Sequence, residues 1–184
     1  MLQLVIHGGA GSLEGKTAKA RNIHQSLCRI WEETFELLKK MSAEEAVIHG
    51  IRLLEDDPVF NAGTGSKIQA DGEVRMSAAL MDGVENRFSG VINVQNIRFP
   101  IEAAALLSKE KNTVLSGNQA TEFCRKHGFV EHDPLTHLRL QEYKQKLNGL
   151  HGTVGIVALD KKGRIFAGTS TGGIGNEIPG RVSD

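Results

Sequence analysis

Seven residues carry the sharpest chemical suggestion in the chain: Gly149-Leu150-His151-Gly152-Thr153-Val154-Gly155. A polar, connector-like stretch ends abruptly there, and a strand-like run begins on a hydroxyl amino acid that follows glycine. A threonine hydroxyl is a weak nucleophile at its free pKa and needs an adjacent base. Breaking the Gly152–Thr153 bond would create one, because the exposed α-amine, with a pKa of about 7.7–8.0, is bonded to the nucleophile's own residue. Gly152 also allows the strained turn from which Oγ1 can reach the preceding carbonyl. The plainer reading, a turn glycine before a β-favouring threonine, stays open on this segment alone.

Other chemistries have weaker support. His7-Gly8-Gly9-Ala10-Gly11 follows a strand-like run, but it has neither the G-x-G-x-x-G order nor a P-loop Lys-Ser/Thr pair. The histidines and carboxylates form no H-E-x-x-H or Cys/His ligand set, so no catalytic metal is expected. Neither Ser12 nor Ser66 sits in a G-x-S-x-G elbow.

The elements around these residues read as follows. Residues 2–6 are expected to form a buried strand ending at the His7–Gly11 loop. From about Thr17 to Lys40, Ile23, Leu27, Ile30, Trp31, Phe35, Leu37 and Leu38 recur at helical spacing. Ser42 and Glu45 make a capping box for a second helix to about Leu54, which Asp56-Asp57-Pro58 stops. Val74, Met76, Ala78 and Leu80 alternate, then Asp82-Gly83 turns into Phe88, Val91, Ile92 and Val94, a hairpin pattern. Helices are expected at about 100–108, 117–127 and 134–147, the last a solvated helix or a connector. Residues 153–159 and 164–170 form another strand pair around Asp160-Lys161-Lys162-Gly163. Strands and helices come in groups, without strict βαβ alternation, which favours an α+β sandwich with an antiparallel core.

Composition narrows the function classes. The 184 residues suit one domain, and 22 basic residues balance 22 acidic ones, so no basic excess exists to hold nucleic acid. No apolar run approaches the ~20 residues of a membrane span. The N-terminus shows neither the basic region nor the cleavage site of a signal peptide. Cys28 and Cys124 are read as buried free thiols, and these features point to a reducing cytoplasm. The 21 glycines cluster near residues 8–11, 63–65, 149–155 and 172–180, where backbone must turn or approach other groups closely.

Six ordered motifs then give a resemblance. They are His7-Gly8-Gly9-Ala10-Gly11, Phe60-Asn61-Ala62-Gly63-Thr64-Gly65-Ser66, Met81-Asp82-Gly83, Gly152-Thr153-Val154-Gly155, Thr169-Ser170-Thr171-Gly172-Gly173 and Pro179-Gly180-Arg181-Val182-Ser183-Asp184. Together they make residues 3–184 similar to the plant-type asparaginase/isoaspartyl peptidase family. The resemblance implies the αββα sandwich of the N-terminal-nucleophile hydrolases, here incomplete at the C-terminus. It also implies self-cleavage between Gly152 and Thr153. Residues 1–152 would then be an α subunit, with 135–152 a connector or flexible helix, and 153–184 the start of a β subunit.

By the same resemblance, Thr153 is the nucleophile and Thr171 the hydroxyl beside it. Arg181 and Asp184 hold the substrate α-carboxylate and α-amine, and Asn61 contributes to a polar site near the scissile bond. The guanidinium–carboxylate and carboxylate–ammonium pairings are chemically suited to those tasks. Asparagine and isoaspartyl dipeptides are the implied substrates, with no catalytic cofactor. A structural sodium is implied on the carbonyls of the Leu54–Thr64 loop. The complete protein is expected to be an α/β heterodimer that dimerises further.

Three departures stand against the pattern. Ser77 follows Met76 where the family usually has an acidic residue, and Ser183 replaces the usual glycine. The family also continues past the position of Asp184 with a Thr-Gly segment for the oxyanion hole. Two other readings therefore remain beside the amidohydrolase: a non-catalytic truncated fragment and a glycosylasparaginase-like relative.

Overall fold

A computed structural model describes residues 1–10, 17–145 and 152–182. Eleven elements follow one another: β1 (Gln3–His7), α1 (Thr17–Leu38), α2 (Ala43–Asp56), β2 (Met76–Asp82), β3 (Arg87–Val94), α3 (Pro100–Leu107), β4 (Val114–Ser116), α4 (Gly117–Lys126), α5 (His137–Lys144), β5 (Val154–Leu159) and β6 (Ile165–Thr171). The strands make one six-stranded sheet in the order β1-β5-β6-β2-β3-β4. Every pairing is antiparallel except β3 with the short β4. The result is a mixed α and β fold with grouped elements.

Local chemistry explains several element ends. The Ser42 hydroxyl accepts from the Glu45 amide at 3.2 Å while the Glu45 carboxylate accepts from the Ser42 amide at 2.9 Å, a complete capping box. Asp57 takes an extended conformation before Pro58 and ends α2. At the β2–β3 turn, Asp82 accepts from the amides of Val84 and Glu85, so a carboxylate replaces the missing ladder partners. Thr136 caps α5 by accepting from the Arg139 amide.

One face of the sheet carries the core. Met76, Ala78 and Leu80 of β2, Val91 and Val94 of β3, and Val154, Ile156 and Ala158 of β5 are all buried. α2 and α3 pack there so closely that a methyl on Gly168 of β6 would lie 2.8 Å from Val47 and 3.4 Å from Ile101. Within α2, a methyl on Gly50 would reach 2.4 Å from Ile156 and 2.8 Å from Thr34, so glycine sets the spacing of α1, α2 and β5. The alternate residues form the opposite face, which the described residues leave largely open. On it Val5 is 65%, Phe88 53%, Ile165 47% and Val157 40% exposed.

Several expectations need correction. β1 is an edge strand rather than a buried one: Val5 and its partner Val157 both lie on the open face. Cys28 is exposed on α1, and Cys124 alone is buried, although both thiols are free. The helix expected at 134–147 is solvated only in part, because Arg139 is buried. β4 is too short, at three residues, to show a period in sequence. The remainder of the expected connector, including Gly149, Leu150 and His151, lies outside the described residues.

Candidate active site

The β5–β6 pairing brings the two suspected threonines together. The register pairs Val154 with Ser170, so one further step sets Thr153 opposite Thr171. On its other side Thr171 pairs with Ser77 of β2. Alternation puts Ser170 on the helix-covered face, next to Glu55, and Thr171 on the other. Three hydroxyl residues thus form a row across one end of the open face. Thr171 is buried, and its Oγ1 accepts from the Gly173 amide at 3.1 Å, which turns the chain sharply after β6.

Asn61 closes this end from the loop after α2. Its Nδ2 donates to the Gly152 carbonyl at 3.2 Å and to the Gly173 carbonyl at 2.6 Å. Its Oδ1 accepts from the Lys67 amide at 3.0 Å, and its own carbonyl accepts from Gly172 at 2.9 Å. One buried amide therefore ties the residue before Thr153 to the turn after Thr171. The Gly152 carbonyl, the atom on which negative charge would develop during attack by Thr153, already faces a fixed N–H donor.

Glycines make this proximity geometrically possible. A methyl on Gly152 would stand 2.5 Å from Gly9 Cα and 2.9 Å from the Ala10 amide nitrogen. The His7–Ala10 segment is thus the wall against which the Gly152–Thr153 junction lies, not a phosphate cradle. A methyl on Gly172 would likewise meet Ser66 Cβ at 2.4 Å. Gly63, with φ of +52°, lies so close to Glu55 that a Cβ there would be 2.3 Å from its carbonyl oxygen.

The Asn61 loop is held from outside by residues whose role sequence pattern does not disclose. The Arg139 guanidinium, from α5, donates to the carbonyls of Gly65 at 2.5 Å and Phe60 at 3.3 Å, and pairs with Glu142 at 2.7 Å. The Gly65 amide donates to the Pro134 carbonyl, and Thr64 bonds His132. Lys67 is buried beside them, with Nζ donating to the Ile174 carbonyl at 3.2 Å. Burial, then the neighbouring Arg139 charge, pushes the Lys67 ammonium down to about 8, against the opposing pull of Glu142 and Glu177.

The Leu54–Thr64 loop was expected to bind sodium through its carbonyls. The carbonyls of Glu55, Asp57, Phe60 and Asn61 each accept an N–H from Thr64, Phe60, Arg139 and Gly172 respectively. The Asp56 carboxylate pairs with Arg98 and that of Asp57 with Arg29. These bonds help to shape the loop, and each carbonyl oxygen retains a second lone pair. Among the described residues no group of three or more His, Cys, Asp or Glu is placed to hold a metal ion.

Glu55 lies beneath the same loop but on the helix side. Burial raises its carboxyl to about 8, despite the Ser170 hydroxyl and the Ile101 amide, which bonds Oε1 at 3.0 Å.

Arg181 follows the Pro179-Gly180 turn, with its amide donating to the Ile178 carbonyl at 3.1 Å. Its carbonyl accepts from Asn93 Nδ2 at 3.1 Å, which fastens it to β3. Asp184 lies outside the described residues. Of the expected site residues, Gly152, Thr153, Thr171 and Asn61 therefore converge, and Arg181 is attached to the neighbouring strand.

Comparison with known proteins decides the family. The asparaginase family matches residues 1–184, the whole chain. The chain belongs to that family. It is 44% identical to a Nostoc protein named isoaspartyl peptidase/L-asparaginase, an alignment covering 99% of this chain and 64% of that protein. It is 37% identical to a plant-type L-asparaginase of Pyrococcus abyssi, covering 100% of this chain and 67% of that one. It is 38% identical to the human isoaspartyl peptidase/L-asparaginase, covering 98% and 63%. The chain thus spans less than two thirds of the Nostoc and human proteins' length.

Proposed function

We propose that the protein is a threonine-nucleophile amidohydrolase that cuts itself between Gly152 and Thr153 and then hydrolyses the side-chain amide of asparagine or the isopeptide bond of isoaspartyl dipeptides. The observation that carries this reading is the Asn61 amide donating to the Gly152 carbonyl one residue before the threonine. In the processing step, Thr153 Oγ1 attacks the Gly152 carbonyl carbon, and the oxyanion forms against Asn61 Nδ2. The C–N bond then breaks, the amine takes the proton that leaves the hydroxyl, and water hydrolyses the resulting ester. The products are a chain ending in the Gly152 carboxylate and a chain beginning with the free α-amine of Thr153.

The same groups support turnover. The α-amine takes the proton from Oγ1 as the latter attacks the substrate's side-chain carbonyl. Ammonia or an amino acid leaves, and water releases aspartate from the acyl-enzyme. Thr171 offers a second hydroxyl beside the nucleophile, while Arg181 and Asp184 bind the α-carboxylate and α-amine. The names of the relatives favour this substrate class over glycosylasparagine.

The open sheet face supports the finer fold assignment. Val5, Phe88, Val157 and Ile165 form an apolar surface of the kind that a second sheet covers in an αββα sandwich. In that architecture residues 1–152 form an α subunit and the β subunit begins at Thr153. The pair would dimerise further. We place the protein in a reducing cytoplasm, in keeping with its free thiols. No described helix is long and apolar enough to cross a membrane. The same open face favours a second reading for the 184-residue polypeptide on its own, a chain that keeps the layered fold without efficient activity.

The test is kinetic. Full-length protein should release ammonia from L-asparagine and free amino acid from a β-aspartyl dipeptide, and Thr153→Ala should lower both by about 10⁴-fold or more. Substantial hydrolysis by Thr153→Ala would remove threonine as the nucleophile.

A further inference from the structure

Asn93 occupies a position that the proposed chemistry does not by itself explain. It is buried near the end of β3 with φ of +54°, a left-handed conformation that asparagine tolerates better than most side chains. The β2–β3 register slips between Met76 and Ala78, which opens the ladder where Asn93 lies. Each of its hydrogen-bonding groups other than its carbonyl then meets a different segment. Its amide donates to Ser77 Oγ at 3.2 Å, its Oδ1 accepts from Gln69 Nε2 at 3.4 Å, and its Nδ2 donates to the Arg181 carbonyl at 3.1 Å.

The segment that it holds runs along the surface on either side of Arg181. Ile178 is 79% and Val182 63% exposed, and the intervening Gly180 has φ of +90°. Farther back the same segment is tied at Glu177, whose carbonyl accepts from Ala70, and at Asn176, whose amide donates to Ile68. The Asn93 side chain reaches the Arg181 backbone itself. Through Ser77, which pairs with Thr171, the same asparagine is also joined to the hydroxyl row.

We propose that Asn93 is a positioning residue for substrate binding. It sets the backbone of Arg181 at a fixed offset from the Thr153–Thr171 pair, so that the guanidinium meets an α-carboxylate at the distance the nucleophile requires. This rests on Arg181 being the carboxylate-binding residue. Bidentate recognition tolerates little displacement, so a slackened anchor weakens binding even though the cation remains. Ser77 is part of this arrangement: where the related pattern has an acidic residue, a hydroxyl here accepts from the Asn93 amide.

Calorimetric titration of L-aspartate into the full-length protein separates this role from a general structural one. Asn93→Gly keeps the left-handed backbone without strain and deletes the amide side chain. It should weaken aspartate by about tenfold, while the rate of processing at Gly152–Thr153 stays within twofold. In an Arg181→Ala background the same substitution should weaken it no further. Asn93→Asp, which keeps an acceptor for Gln69 but sets oxygen against the Arg181 carbonyl, should also weaken aspartate and carries the test if the glycine variant does not fold. Wild-type affinity in either folded variant, beside weakened binding by Arg181→Ala, would overturn the role of Asn93 alone. So would an additive loss in the double variant, or a parallel slowing of processing. If Arg181→Ala binds aspartate like the wild type, the assignment of Arg181 itself fails and this inference with it.

Discussion

The β5–β6 hairpin has two ends built from polar groups, and they do opposite things. At the closed end, buried Asp160 collects N–H groups: its carboxylate accepts from the amides of Ala43, Lys162 and Arg164 and from the Arg164 guanidinium. Burial works to raise its pKa, but the hydrogen bonds from Arg164, then those from the Lys162 and Ala43 amides, outweigh it and hold the carboxyl at about 2. The carboxylate is fully met by these donors, so the arrangement is a finished structural turn. At the open end, Asn61 donates to the Gly152 carbonyl, whose next residue carries a hydroxyl. Burial and hydrogen bonding are common to both ends. What distinguishes the candidate active site is a peptide carbonyl with a donor already aimed at its oxygen and a threonine hydroxyl one residue away.

The sharpest way to break this contrast is Asn61→Ala. Removing the donor should slow appearance of the two processed chains by about 10²–10³-fold, followed by gel densitometry after purification of the precursor. Processing at the wild-type rate would mean that the oxyanion is stabilised elsewhere.

Asp160→Ala should leave processing unchanged at permissive temperature and lower the melting temperature by about 5–10 °C, as expected for lost charged hydrogen bonds. Because the folded carboxyl lies below its ordinary 3.8, its stabilisation is present above that pH and is lost as pH falls toward about 2. The deficit of the variant should therefore shrink in acid. A loss of processing in this variant would show that the two ends are not independent.

Glu55 gives the subtlest contrast, since it is buried without an adequate counter-charge. Its folded pKa of about 8 exceeds the ordinary 4.5, so the stability tied to its proton is complete below pH 4.5 and is lost as pH rises through about 8. Glu55→Gln should flatten that decline in a denaturant titration series, matching the wild type at pH 4 and exceeding it at pH 9. Equal pH profiles would mean that Glu55 ionises in the fold without penalty.

Much of this architecture is legible in the sequence because it is local. Ser42 and Glu45 announce a helix start, Asp160–Gly163 a turn, and alternation from Met76 to Leu80 a strand with one buried face. Thr153 and Asn61 are legible as candidates because motifs of small residues surround them. The approach of Asn61 to this junction is not legible, since its bond to Gly152 joins residues 91 apart in the chain. Arg139 and Asn93 escape notice for a related reason. Arg139 lies in a helix of charged residues, and nothing in that pattern shows that its guanidinium turns inward to the Phe60 and Gly65 carbonyls. Asn93 sits within an apolar strand pattern, where only the register slip reveals why an asparagine belongs. β1 reads as buried because its composition is apolar, although Val5 lies on the face that the described residues leave open.

The central claim is that the chain's special chemistry begins at one peptide bond. Intact-mass spectrometry with N-terminal sequencing, applied to purified wild type and Thr153→Ala, addresses it most directly. The wild type should resolve into one chain ending at Gly152 and another beginning at Thr153, while the variant stays a single uncut polypeptide. A wild-type chain that never divides, a cut at any other bond, or cleavage that persists in Thr153→Ala would contradict the account.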